Sequence, residues 1–224
     1  MITLFCGKEQ SIHNFTLIVL FFSITLFFSS CKGGDALNGI QSKEPVLFLA
    51  TNLDGLCGFI DNTGKEVVPC QYEDAYDFSE GLAAVKNKND LWGFIDETGK
   101  EVVPCQYEGA GDFHGGLAIV LNTNFLYGFI DETGKEVDPC QYEGAGDFHE
   151  GLAIVVNTSG LYGFIDKTGK EVIKPIYSNV NSFVDGYAIV ANSNGLYGVI
   201  DKTGDEVVPC RYKHIAYNRV ISNE

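Results

Sequence analysis

Positive charge is scarce in this chain, with 15 Lys and Arg set against 30 Asp and Glu for a net charge of −15. A surface of that sign repels nucleic acid and anionic lipid, so neither is expected as a partner by electrostatics. Long apolar runs are also missing: the longest, Phe15 to Phe28, has 14 residues, short of the ~20 that a membrane-crossing helix needs. There is no Walker loop, Gly-x-Ser-x-Gly elbow, zincin helix or dinucleotide fingerprint, which removes the commonest nucleotide, hydrolase and metalloprotease chemistries. No nucleophile stands beside a base at a single place in the chain, as an active site would require. The reading is therefore of a non-enzyme, with no catalytic residue, cofactor or metal site. What is present is 26 Gly, 12% aromatics and 45% apolar residues, a composition that leans towards strands and turns around a real core.

The apolar run fits the h-region of a secretory signal, with small residues after it. Phe28-Ser29-Ser30-Cys31 resembles the lipobox of bacterial lipoproteins. That resemblance implies a signal peptide over 1–30, cleavage before Cys31, lipid attachment at Cys31, and stable anchoring through several acyl chains. Residues 31–45 are Gly-rich and polar, and read as a flexible tether.

The remainder, 46–224, is repetitive. Gly58, Gly93, Gly128, Gly163 and Gly198 recur every 35 residues without a gap, as do Tyr72, Tyr107, Tyr142, Tyr177 and Tyr212. Counted from Val46, the units are 46–80, 81–115, 116–150, 151–185 and 186–220. Within the fourth unit, Gly151 to Val156 reads as a strand, Asn157 to Gly160 as a turn and Leu161 to Asp166 as a second strand. Lys167 to Lys170 closes a hairpin with Gly169 at positive φ, and Asp166 accepts hydrogen bonds from that turn. Glu171 to Ile173 is a third strand that Lys174-Pro175 ends, and Tyr177 to Asp185 is a crossover. No helical stripe appears after the signal. A three-stranded unit cannot bury both its faces, so each rests on its neighbours. Leu, Gly and Ile of the central strand share one face, Phe and the aromatic row the other; both are apolar and both expected to be covered.

The pattern Leu91-Trp92-Gly93-Phe94-Ile95-Asp96, then Thr98-Gly99-Lys100-Glu101-Val102, a Pro, a Tyr and Phe-x-x-Gly-Leu-Ala, resembles the bacterial WG repeat over 46 to about 217. The resemblance implies an all-β, variable-copy binding or scaffold module, often exported and with no shared enzymatic activity. Only Trp92 keeps the name-giving Trp; Cys57, Tyr127, Tyr162 and Tyr197 replace it. The expected architecture is a tandem array of five three-stranded units, open and twisted rather than closed into a five-bladed ring. Propeller blades carry four strands, and only four residues after unit five remain to latch a ring.

Cys57, Cys70, Cys105, Cys140 and Cys210 follow the anchor. With units side by side, equivalent Cys would stand three strand spacings apart, about 14 Å, beyond the ~7 Å a disulfide allows. They are expected as unpaired packing residues. His114 and His149, and the Asp-x-Thr-Gly turns, are weighed as metal ligands and read instead as turn residues, since no ligand pattern accompanies them. Glu66, Glu101, Glu136, Glu171 and Glu206 read as a solvated face. Trp92, Tyr127, Tyr162 and Tyr197 form an aromatic row that either packs the sheets or, if exposed, contacts a partner. The functional expectation is an acidic lipoprotein of a bacterial cell envelope, periplasmic or surface-facing, that acts as a protein-binding scaffold. The alternative is glycan or peptidoglycan binding through the aromatic row.

Overall fold

The structure is a computed structural model that describes residues 46–218; the expected signal peptide, Cys31 and the tether lie outside them. All regular structure among the described residues is β, in five antiparallel sheets arranged in tandem. The first sheet has three strands, β1 (Phe48–Thr51), β2 (Cys57–Ile60) and β3 (Glu66–Tyr72). The second is β4 (Asp74–Ala75), β5 (Leu82–Lys86), β6 (Trp92–Asp96) and β7 (Glu101–Tyr107). The third is β8 (Gly109–Ala110), β9 (Leu117–Leu121), β10 (Tyr127–Asp131) and β11 (Glu136–Tyr142). The fourth is β12 (Gly144–His149), β13 (Leu152–Val156), β14 (Tyr162–Asp166) and β15 (Glu171–Tyr177). The fifth is β16 (Asn179–Val180), β17 (Tyr187–Ala191), β18 (Tyr197–Asp201) and β19 (Glu206–Tyr212). Among the described residues, no strand of the first sheet pairs with one of the fifth, so the array is open.

Two expectations need correction. The stretch after Tyr72, Tyr107, Tyr142 and Tyr177, read as crossover, contains a further strand of two to six residues, so four of the five sheets have four strands and not three. Two residues such as Asp74–Ala75 are too few to show a period of two. Strand three also does not end at the Pro: β15 runs through Pro175 to Tyr177. The ladder absorbs the Pro in a bulge, where pairing jumps from Phe164↔Ile173 to Tyr162↔Tyr177.

Successive units do not extend one sheet; they stack face to face. Ala83, Val85 and Ile95 lie on what is here termed the leading face of the second sheet, and Leu82, Ala84, Trp92 and Phe94 on its trailing face, as cross-strand pairing requires. Each trailing face meets the next leading face in its own core. Cys57, Phe59 and Val68 meet Ala75, Ala83, Val85 and Ile95 at the first seam. Trp92, Phe94 and Val103 meet Phe113, Ala118, Val120 and Ile130 at the second. The third and fourth seams repeat the same set around Phe129 and Phe164. In every seam the central-strand Phe packs at a steep angle against a Phe from the next sheet: Phe59–Phe78 at 4.6 Å, Phe94–Phe113 at 4.9 Å, Phe129–Phe148 at 5.3 Å and Phe164–Phe183 at 4.8 Å. Ring pairs at such distances add to the burial of their area. In the three interior sheets Phe94, Phe129 and Phe164 on the trailing face are at most 1% exposed and Ile95, Ile130 and Ile165 on the leading face are 0% exposed, so the central strand there is covered on both sides, as its two apolar faces require.

Candidate interaction surface

The repeated glycine sets the position of the aromatic row. A Cβ at Gly93 would lie 2.5 Å from the Val103 carbonyl oxygen and 2.6 Å from the Cys105 nitrogen; at Gly58, Gly128, Gly163 and Gly198 the same clash recurs. The third strand therefore bulges over a residue without a side chain, and the Pro-Cys dipeptide supplies the bulge. Beside each Gly, the aromatic residue faces the Tyr that ends the third strand: Trp92↔Tyr107, Tyr127↔Tyr142, Tyr162↔Tyr177 and Tyr197↔Tyr212.

That arrangement draws the row into the seams. Trp92 is 7% exposed, stacked on Tyr76 at 4.8 Å, with the Lys86 ammonium 6.0 Å from its ring centre. Tyr127 and Tyr162 are half-buried and pack against the third and fourth seams. Tyr197 is half-buried on the trailing face of the fifth sheet. The four candidate partner-binding residues share one structural column, and it is not an open platform.

One carboxylate in each unit is held in a repeated turn contact. Oδ1 of Asp61, Asp96, Asp131, Asp166 and Asp201 accepts the hydroxyl of the Thr two residues on at 2.6 Å. It also accepts the amides of residues two and four on, for instance Thr98 at 2.9 Å and Lys100 at 3.0 Å. These bonds, the Thr hydroxyl foremost, hold all five carboxyls below the ordinary Asp value. The carboxylates are thus occupied in turns, and among the described residues no cluster of three or more His, Cys, Asp or Glu is placed to hold a metal ion. His114 and His149 are exposed but are not in turns, as the sequence reading had them: His114 forms an isolated bridge with Leu117, and His149 ends β12, paired with Leu152.

The five thiols are free. Cys105 Sγ donates to the Val85 carbonyl at 3.7 Å and Cys140 Sγ to that of Val120 at 3.9 Å. Burial, then Glu101 and Glu136 respectively, pushes these two thiols up, away from the nucleophilic thiolate. Equivalent Cys sit on separate stacked sheets, so the expected side-by-side spacing does not apply to them.

The repeat itself decides the family. Residues 58–92, 92–124, 127–159, 162–196 and 197–218 match the WG containing repeat. The chain belongs to the WG containing repeat family. No curated protein matches it. Among solved structures, this WG-repeat chain is similar to the computationally designed Ika8 protein at 14% identity, covering 74% of this chain and 58% of that one with a TM-score of 0.41. It is similar to the WD40 beta propeller domain of Doa1 at 15% identity, covering 72% and 64% with a TM-score of 0.35. A third likeness is to BamB from Moraxella catarrhalis at 11% identity, covering 72% and 60% with a TM-score of 0.37. The WG-repeat chain thus spans less than two thirds of each of these three structures.

Two departures from the repeat escaped the sequence reading. Phe125 stands in a turn where other units have Gly55, Asp90, Gly160 and Gly195; its φ is 58° and it is 68% exposed. An aromatic residue at positive φ is strained and solvated at once. Asp138 replaces the Val68, Val103, Ile173 and Val208 column and is 3% exposed. Its carboxylate accepts from Gln141 Nε2 at 2.8 Å and from the Tyr142 hydroxyl at 3.0 Å. Both stand out once the five units are aligned, because each breaks an otherwise uniform column.

Proposed function

We propose that this protein is a non-catalytic, lipid-anchored WG-repeat protein of a bacterial envelope that serves as a protein-binding scaffold. The observation that carries the reading is Phe125. It holds a bulky apolar ring in water, in a backbone conformation that three of the other four copies leave to Gly. Strain kept at an exposed aromatic fits a contact anchor, since aromatic residues carry much of the energy of protein interfaces. The repeated sheets on either side give that anchor a rigid mount.

The anchoring part of the reading rests on Cys31 and on the apolar run before it. Changing Cys31→Ala releases the protein from membranes; a variant that still pellets with them contradicts the anchor. The scaffold part is tested by a photocrosslinking side chain at position 125 in the native cell, followed by mass spectrometry. A defined crosslinked protein, absent when the same probe sits at Gly160, supports the role. Identical yields from both positions contradict it. Glycan recognition through the aromatic row is the weaker reading, because Trp92 is enclosed and its three partners are half-buried.

A further inference from the structure

The two ends of the array are the two halves of one seam. Seams one to four each join a trailing face bearing Phe59, Phe94, Phe129 or Phe164 to a leading face bearing Ala83, Ala118, Ala153 or Ala188. At the ends both columns change, in opposite senses. The trailing face of the fifth sheet has Val199 in the Phe column, and Asn218 stands where the second ring, Phe183, would recur. The leading face of the first sheet has Phe48 in the Ala column. A seam between these faces sets a small residue on the trailing side against a large one on the leading side, so the ring is supplied from the other partner.

Backbone pairing tells the same story. In sheets two to five the first strand begins two residues after the Tyr that closes the preceding sheet, and it pairs with the next strand, as Asp74↔Lys86 and Ala75↔Val85 show. Among the described residues the first sheet has no such strand and β1 is its edge, with Phe48 49% and Leu49 38% exposed. The chain continues beyond Tyr212 with His214-Ile215 at the register of Asn179–Val180, and these residues pair with nothing in the ladder. Ile215 instead borders an apolar groove on the fifth sheet, with Tyr187, Ile189, Val199 and Ala216. Among the described residues, one end is a sheet with an open edge and the other a segment at strand register with no sheet.

We propose that the protein assembles head to tail with a second copy of itself. The trailing face of the fifth sheet receives Phe48, Ala50 and Ile60 of the next copy, and His214-Ile215 pairs with the edge of its β1. The contact continues the four seams inside the chain and completes the first sheet to four strands by strand addition. Because the joined surfaces differ, the contact is heterologous, and assembly runs to a ring or a filament.

The test uses the full chain in detergent, followed by sedimentation across concentration. The wild type grows beyond the monomer as concentration rises. Val199→Asp and Phe48→Asp each place a carboxylate in the seam and raise the half-assembly concentration by roughly tenfold or more. Both sites are at least partly exposed in the single chain, so circular dichroism is expected to be unchanged. An equimolar mixture of the two variants has one intact tail and one intact head, and it forms dimers and nothing larger. Val199→Phe alone also weakens assembly, and adding Phe48→Ala restores it by recreating the internal seam. A wild type that stays monomeric up to its solubility limit overturns the proposal, since its ends are then covered within one chain. Variants that assemble as the wild type does, or a mixture that stays monomeric, overturn it equally.

Discussion

At the level of single residues, the informative positions are those where one copy departs from the other four. Phe125 keeps a positive φ that costs an L-residue roughly 1–2 kcal/mol. Phe125→Gly should therefore raise stability by about 1 kcal/mol in chemical denaturation while reducing crosslinking to any partner, a trade between fold and function. Asp138 buries a carboxylate in an apolar column. Asp138→Ala alone leaves the buried Tyr142 hydroxyl without its acceptor and should cost about 1–3 kcal/mol. Asp138→Val with Tyr142→Phe removes the whole polar pair and should be neutral or stabilising. The Tyr142 phenol also gives a sign for pH. Burial first, then the hydrogen bond to Asp138, pushes it above its ordinary value of 10.0. A group raised in the fold contributes stability that is present in full below that value and lost as pH climbs past it. Denaturation at alkaline pH should therefore show a decline that Tyr142→Phe reduces; Tyr72, Tyr107 and Tyr177, also raised by burial, retain the rest.

Among the elements, the seam is the unit of stability, and its parts can be ranked. Phe94→Ala empties a fully buried position and should cost about 3–5 kcal/mol, whereas Val199→Ala on the half-exposed end face should cost far less. Gly93→Ala forces the bulge of β7 to move and should cost about 1–3 kcal/mol by overpacking. Thermal or urea denaturation of the three variants checks the order. These elements were legible in uneven measure. Central strands and hairpins could be read because Leu-x-Gly-x-Ile-Asp alternates clearly and Asp-x-Thr-Gly has a turn mechanism. The short strands such as β4 could not, since two residues carry no period and pairing is decided by the neighbouring sheet. The continuation of β15 past Pro175 was hidden for a related reason: a proline normally ends a ladder, and only the glycine opposite permits a bulge there. Burial of Trp92 was one of two readings the sequence left open, and the contact with Tyr76, 16 residues earlier, settles its environment.

Taken whole, the molecule is a series of stacked sheets in which each interior sheet has two neighbours and each end sheet one. The period of 35 residues foretold the series; it could not tell face-to-face stacking from side-by-side extension, because both repeat every side chain equally. Stability in such an array is a sum of unit and nearest-neighbour terms. The most direct measurement is native-state hydrogen exchange at the equivalent amides of β2, β6, β10, β14 and β18, whose near-identical sequences give similar intrinsic rates. At concentrations where the chain is monomeric, protection should be greatest in β6, β10 and β14 and should fall at β2 and β18. Equal protection in all five strands, or one sheet protected independently of its neighbours, would contradict the account.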